Sequence, residues 1–125
     1  EPQELRSAIL YLIEGNFDSL IASESHNAHA IYEDKPLNFS LKSKFARTQD
    51  LSPVKLLCYS FMMWKRESFI SHYEKHGHAL MNGKFATYDV SRASAQKVKT
   101  PEDLFISESF LKAAAMQKNV IYYGT

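Results

Sequence analysis

Apolar residues near the start of the chain recur at helical spacing. They lie three or four positions apart from Leu5 to Ile13, and Gly15 then interrupts the pattern. Pro2 stands where the first turn of a helix tolerates proline, because its nitrogen would have no helical partner in any case. The pattern therefore predicts a helix over residues 2–14.

Two different patterns follow along the next thirty positions. A broken apolar stripe, with Asn16 as its N-cap, predicts a helix over residues 16–33. Over residues 37–45 apolar and polar positions alternate instead, which is the period of a β-strand. This predicted strand has one apolar face and one basic face, and the basic face carries Lys42 and Lys44.

A long helix is predicted over residues 53–76. Ser52 provides an N-cap, Pro53 occupies the first helical position, and Gly77 marks the end. The first half of this segment is apolar nearly all round, which is typical of a helix covered on several sides. The sequence therefore predicts that this helix is central to the fold.

The remaining third of the chain contains a strand, a connector and a helix. The Asn-Gly dipeptide at 82 and 83 favours a turn before a predicted strand over residues 84–90. A polar connector leads to a helix over 101–118, which begins with Thr100 as N-cap and Pro101 at its first position. The β-branched and aromatic residues of 119–125 predict a final short strand.

Together these elements predict an α+β fold with about four helices and a small sheet of two to three strands. We expect that sheet to be antiparallel, because helices and strands do not alternate regularly. With 125 residues, of which 45% are hydrophobic, the chain fits one compact domain over 1–125, whether whole or excised from a longer protein. No apolar stretch reaches the length of about 20 residues that a membrane helix needs, so we expect a soluble protein with no membrane contact. Cys58 is the sole cysteine and excludes an internal disulfide, which favours the cytoplasm.

Charge is distributed unevenly, although the net charge is only +1. Residues 1–34 contain seven acids and one base, whereas residues 35–66 contain seven bases and one acid. We expect six of these bases to form a basic binding face: Lys42, Lys44, Arg47, Lys55, Lys65 and Arg66.

Three interpretations of this basic face remain open. The acidic helices before residue 34 could neutralise it within the molecule, where exposed ion pairs contribute little. It could instead meet an acidic protein partner or nucleic acid, because several cations on neighbouring elements can neutralise several phosphates. Base stacking is not predicted, because Phe39 and Phe45 would lie on the apolar, buried face of the 37–45 strand.

The segment 71–78 contains three of the five histidines. On a helix His72 and His76 lie about 40° apart, as two metal ligands from successive turns must, whereas Glu74 faces away. His78 could complete a site only if the chain folds back after Gly77. A simpler interpretation is that positive charge near the helix end interacts favourably with the helix dipole.

A second polar cluster contains Glu24, His26 and His29. A histidine beside a carboxylate can act as a general acid or base, although an exposed helix face explains the cluster as well. The four glycines are scattered and no nucleophile elbow of the form GxSxG is present, so we expect no cofactor.

The preferred hypothesis is a small non-enzymatic binding domain that acts through the basic face. A histidine- or metal-dependent hydrolase, such as a nuclease, is one alternative, with His72, His76 and His78 as metal ligands. A structural or assembly domain of a larger protein is another.

Overall fold

A computed structural model describes residues 2–117 of the chain. Within that range the fold is mixed α+β, with three α-helices, a three-stranded sheet and a two-stranded hairpin. In chain order the elements are α1 (Pro2–Glu14), β1 (Ser19–His26), β2 (Ile31–Tyr32), β3 (Lys35–Pro36), a 3-10 turn (Thr48–Asp50), β4 (Val54–Trp64), α2 (Arg66–His76), β5 (Phe85–Asp89) and α3 (Pro101–Gln117).

The three-stranded sheet has the order β4-β1-β5. The central strand β1 runs antiparallel to β4 and parallel to β5, with Leu20 opposite Met63 on one side and Ala86 on the other. Residues 19–23 of β1 are buried, as expected for a strand covered on both faces. The number of strands agrees with the expected two to three, but only β5 is among the strands predicted from the sequence, and the sheet is mixed and not antiparallel throughout.

Apolar side chains on one face of this sheet form the core. Ala8 and Leu12 of α1 are buried against Leu20, with Met63 and Tyr88 packed around them. A second buried cluster continues this core beyond β5 and contains Ala22, Cys58, Val90 and Ala95. Cys58 is thus a core residue.

The predicted central helix over 53–76 is wrong in its first half. Residues 54–64 form strand β4, and only residues 66–76 form a helix. A mainly apolar run of this length has no periodicity that separates a strand from a buried helix, and Pro53 is as compatible with the start of a strand as with the start of a helix. The predicted end is correct, because Gly77 takes a left-handed conformation (φ 77°) and its N–H donates to the carbonyl of Tyr73.

The predicted helix over 16–33 and strand over 37–45 are also wrong. Residues 19–26 form β1, after which Glu33 and Asp34 (φ 49° and 63°) make the tight turn between β2 and β3. Residues 37–47 contain neither helix nor strand. Their alternation has no neighbouring strand to pair with, so it does not produce a strand. With residues 16–33 removed from the helices, the count falls from about four to three.

The predictions for the other elements are confirmed. α1 spans Pro2–Glu14, β5 lies within residues 84–90, and α3 begins at Pro101. The N–H of Asp103 donates to Oγ1 of Thr100 (3.1 Å), and Oδ2 of Asp103 accepts from the N–H of Thr100 (2.9 Å), which is a capping box. The strand predicted over 119–125 lies outside the described residues. Across 2–117 no helix is long and apolar enough to cross a bilayer.

Asp18 joins three elements at the edge where β1 and β5 begin. Its Oδ1 accepts from Oγ of Ser68 (2.6 Å), its Oδ2 accepts from the N–H of Lys84 (2.7 Å), and its carbonyl accepts from the N–H of Lys65 (3.0 Å). The hydroxyl of Ser68, the N–H of Lys84 and the charges of both lysines lower the pKa of Asp18. Asp18 thereby fixes the start of α2 beside the start of β5.

Candidate functional site

The six predicted basic residues form two groups. Lys42, Lys44 and Arg47 lie in the irregular segment 37–47, which we call the basic loop, and Lys55 lies near the start of β4. Lys65 and Arg66 lie at the other end of that strand. Ser25 of β1 pairs with Lys55, and the carbonyl of Asp18 accepts from the N–H of Lys65, so about seven strand residues, or roughly 20 Å, separate the two ends of β4. The structure therefore does not bring all six together on one face.

Several of these cations already have partners inside the molecule. Arg47 Nε lies 2.8 Å from Asp50 Oδ2, and Lys55 Nζ lies 3.3 Å from Asp89 Oδ2. Lys65 Nζ donates to Oδ1 of Asn16. Asp50 and Asp89 both lie outside the acidic block of residues 1–34. These two ion pairs are therefore different from the pairing with that block that the charge distribution allowed.

Lys42 and Lys44 are the two basic-loop lysines available to a ligand. Both side chains are exposed, and neither takes part in an ion pair among the residues that the structure describes. Together with Arg47, they place three cations within six consecutive positions. The basic loop is therefore the strongest local concentration of predicted site residues.

Asn38 holds the basic loop at its first turn. Its Nδ2 donates to the carbonyls of Ala28 (2.8 Å) and Ser52 (2.9 Å), and its Oδ1 accepts from the N–H of Ala30 (2.9 Å). These three bonds tie the segment after β1 to the segment before β4. The loop is irregular in secondary structure but is anchored at its first residues.

Three aromatic rings meet beside these lysines. The imidazole of His29 stacks on the phenyl ring of Phe45, with centroids 4.3 Å apart and planes inclined by 15°. Phe39 contacts the same imidazole edge-on, at 5.0 Å and 75°. Phe45 is 78% exposed and Phe39 is half-buried, so the inference that both rings face the core is wrong for Phe45.

A cavity of about 520 Å³ opens between these rings and the loop backbone. Its lining includes His29, Asn38, Phe39, Lys44, Phe45 and Leu51. The volume falls within the range of small-ligand sites, about 300–1,000 Å³, and combines ring faces with amide and ammonium donors. Nε2 of His29 is buried and has no hydrogen-bond partner within residues 2–117.

The three histidines after residue 71 come together in space. Gly77 reverses the chain, and the ring centroids of His72 and His76 lie 4.5 Å apart, those of His72 and His78 5.4 Å, and those of His76 and His78 6.1 Å. Partial burial and the nearby charges of His76, His78 and Lys75 lower the pKa of His72. As the side chains stand within residues 2–117, no group of three or more His, Cys, Asp or Glu is placed so that it could hold a metal ion.

A fourth metal ligand beside these three histidines could come from His26, His29 or Asp89, but all three lie elsewhere. His29 stacks on Phe45, and Asp89 accepts a hydrogen bond from Oγ of Ser23 (2.6 Å). Nε2 of His26 lies 3.4 Å from Oε2 of Glu24. None of the three belongs to the cluster of His72, His76 and His78.

The polar residues near the carboxyl ends of β1 and β5 divide between the two faces of the sheet. Glu24 and His26 share one face, and Arg92 Nε lies 3.4 Å from Glu24 Oε1. Because side chains alternate along a strand, Ser23 and Asp89 lie on the other face. The proposed acid–base group is therefore reduced to Glu24 and His26, since His29 packs against Phe45 of the basic loop.

No protein-family model matches the chain, and no curated protein matches it significantly.

Two residues of the site were not identified from sequence in their actual roles. Asn38 was assigned to the polar face of a strand, and His29 to a helix. The sequence offers one signal, the polar Asn38 between two apolar neighbours. That signal is ambiguous, because an anchoring side chain and a polar position of an alternating strand both produce it.

Proposed function

We propose that the protein is a non-enzymatic binding domain whose basic loop contacts single-stranded nucleic acid. The observation that supports this proposal is the ring of Phe45, which is 78% exposed and has Lys44 beside it in the chain. An exposed aromatic ring offers a face for a nucleobase, and neighbouring ammonium groups offer contacts to the phosphates on either side of that base.

The stacking of His29 on Phe45 favours this ligand. One face of the phenyl ring is occupied by the imidazole, which orients the ring, and the exposed fraction leaves other ring surface for a base. A stacking ring that is already oriented loses less conformational entropy on binding than a freely rotating one. Asn38 contributes similarly by fixing the loop backbone.

The charges of the loop set the expected strength and salt dependence of binding. Lys42 and Lys44, which have no ion-pair partner among the described residues, can neutralise two phosphates of a single strand, and this gives a slope of about −1.4 for log K against log salt concentration. An acidic protein would satisfy the same cations but offers no regular stacking partner for Phe45. Single-stranded nucleic acid therefore uses more of the site than an acidic surface does.

The direct test is fluorescence anisotropy with labelled oligo-dT and oligo-U at two salt concentrations, with an Asp/Glu-rich peptide and a DNA duplex of equal length as competitors. We expect salt-sensitive binding of the single strands and weaker binding of duplex and peptide. Preference for the peptide would indicate that the basic loop binds an acidic protein partner instead. Cleavage of the oligonucleotide, followed on a denaturing gel, would favour the hydrolase alternative.

A pair of double variants separates the loop from bulk charge. Lys42→Gln/Lys44→Gln removes two loop cations, and Lys99→Gln/Lys112→Gln removes two exposed cations elsewhere. We expect the loop variant to flatten the salt slope by about 1.4 and the control to leave it unchanged. Equal effects of both variants would mean that net charge, and not the basic loop, governs binding.

A further inference from the structure

The cluster of His72, His76 and His78 is separate from the basic loop and suggests a second site. His72 and His76 lie on successive turns of α2, and His78 follows the left-handed Gly77. The reversal at Gly77 is what returns the third imidazole to the first two, with its ring 5.4 Å from that of His72. Sequence spacing alone left this return open.

The ring separations match those of three imidazoles around one ion. A Zn–N bond of about 2.0–2.1 Å places a ring centre about 3.2 Å from the metal, so two ligands at the tetrahedral angle have ring centres about 5.2 Å apart. The separations in the cluster are 4.5, 5.4 and 6.1 Å. Closing the site therefore requires rotation of side chains and little movement of the backbone.

We propose that His72, His76 and His78 bind one divalent transition-metal ion of the zinc, nickel or copper type. Imidazole nitrogen is the ligand that these ions share, whereas calcium and magnesium require oxygen ligands. His76 and His78 are exposed and have room to turn their nitrogens toward the ion, and His72 is partly buried beneath them. Water or an external ligand occupies the fourth position.

The lysine next to the cluster limits the affinity of the proposed site for a metal ion. Lys75 adds a positive charge beside the cluster and opposes the binding of a cation. Glu74 of the same helix faces away from His72 and His76 and does not offset that charge. The bound state consequently gains its affinity from three nitrogen ligands alone.

The test is calorimetric titration of the untagged full chain with Zn²⁺ and with Ni²⁺ at neutral pH. We expect one ion per chain, and at least a tenfold loss of affinity in His78→Ala, which leaves only the two helical imidazoles. His26→Asn, a histidine variant outside the cluster, should bind as the parent does. Thermal unfolding of each variant verifies that the fold is retained.

A spectroscopic measurement distinguishes the proposed site from looser chelation. Co²⁺ in a four-coordinate site with three nitrogen ligands gives visible absorption bands much stronger than those of six-coordinate Co²⁺, and these bands should disappear in His78→Ala. Unchanged affinity in His78→Ala would reduce the site to a two-histidine chelate and overturn the proposal. Absence of binding would overturn it too, as would one ion per two chains with dimers in sedimentation.

The proposed metal site and the proposed nucleic-acid site are tested independently of each other. Oligonucleotide binding depends on Phe45 and the loop lysines, whereas metal binding depends on none of them. Removal of metal by a chelator should therefore leave oligonucleotide affinity unchanged.

Discussion

The imidazole of His29 lies nearly parallel to the ring of Phe45, 4.3 Å away, although sixteen positions separate the two residues in the chain. This pair closes one wall of the cavity in the basic loop. It also means that the exposed ring of Phe45 is supported from within the domain, which a freely mobile surface aromatic would not be.

Replacement of Phe45 should weaken oligonucleotide binding without weakening the fold. Loss of one stacked base costs about 1–3 kcal/mol, so Phe45→Ala should raise Kd roughly 5- to 100-fold. The matched control is Leu41→Ala, because Leu41 is 80% exposed on the same loop but offers no ring. Anisotropy titration decides the matter, and comparable losses in both variants would argue against stacking.

Asn38 should be the most sensitive polar position of the basic loop. Asn38→Ala removes three hydrogen bonds, and we expect the free energy of unfolding to fall by about 1–3 kcal/mol. Asn27 makes one 3.3 Å bond to the carbonyl of Leu51, so Asn27→Ala should cost less. Urea denaturation compares the two variants, and an equal loss would mean that Asn38 does not anchor the loop.

The carboxylate of Asp18 should make stability depend on pH in the acid range. Its pKa in the folded protein lies below the ordinary value of 3.8, because Ser68 and Lys84 donate to the ionised form. The stabilisation is therefore complete above pH 3.8 and is lost as pH falls through the lower folded-state pKa. Asp18→Asn should lower stability at neutral pH by about 2 kcal/mol and flatten the acid limb of the unfolding profile.

Asp34→Asn serves as the control for this profile. Asp34 is exposed in the turn between β2 and β3, and asparagine tolerates its positive φ of 63°. Thermal unfolding followed by circular dichroism from pH 2 to pH 7 should give the parent curve for this variant. If Asp18→Asn gave the parent curve as well, the hydrogen bonds of Asp18 would contribute nothing to stability.

The two glycines with positive φ should differ in their tolerance of a methyl group. Gly77→Ala meets no atom within 4 Å and should cost about 1 kcal/mol for its φ of 77° alone. A Cβ at Gly83 (φ 56°) would overlap the carboxylate of Asp18, which Ser68 and Lys84 hold in place. Gly83→Ala should therefore cost at least about 2 kcal/mol, and denaturant titration that ranked Gly77→Ala as the worse variant would contradict this geometry.

Elements whose ends have their own chemical signals were predictable from sequence. Pro101 and the reciprocal bonds between Thr100 and Asp103 begin α3 without reference to the rest of the fold. Gly77 ends α2 in the same local manner, since the left-handed conformation costs glycine least. The residues that form a helix cap are close together in the chain, so the sequence alone shows where a cap can form.

The strands of the central sheet were not predictable in this way. Residues 54–64 form a strand because β1 supplies the pairing partner, and no local pattern in the apolar run specifies that partner. The contacts within the basic loop could not be predicted either, for the same reason. The charges of Lys42, Lys44 and Arg47 are visible in the sequence. That these residues lie near His29, however, depends on the path of the chain around Asn38. The misassigned strand also led to the wrong orientation for Phe45.

The parallel pairing of β1 with β5 bears on how the protein folds. β4 can pair with β1 once residues 27–53 have been enclosed, whereas β5 must wait until residues 27–84 have been enclosed between the two strands. Closing so long a segment is entropically slow, and contacts between distant residues lower folding rates. We therefore expect the edge of β1 that faces β5 to be paired last, and until then this apolar strand edge is open to association with other chains.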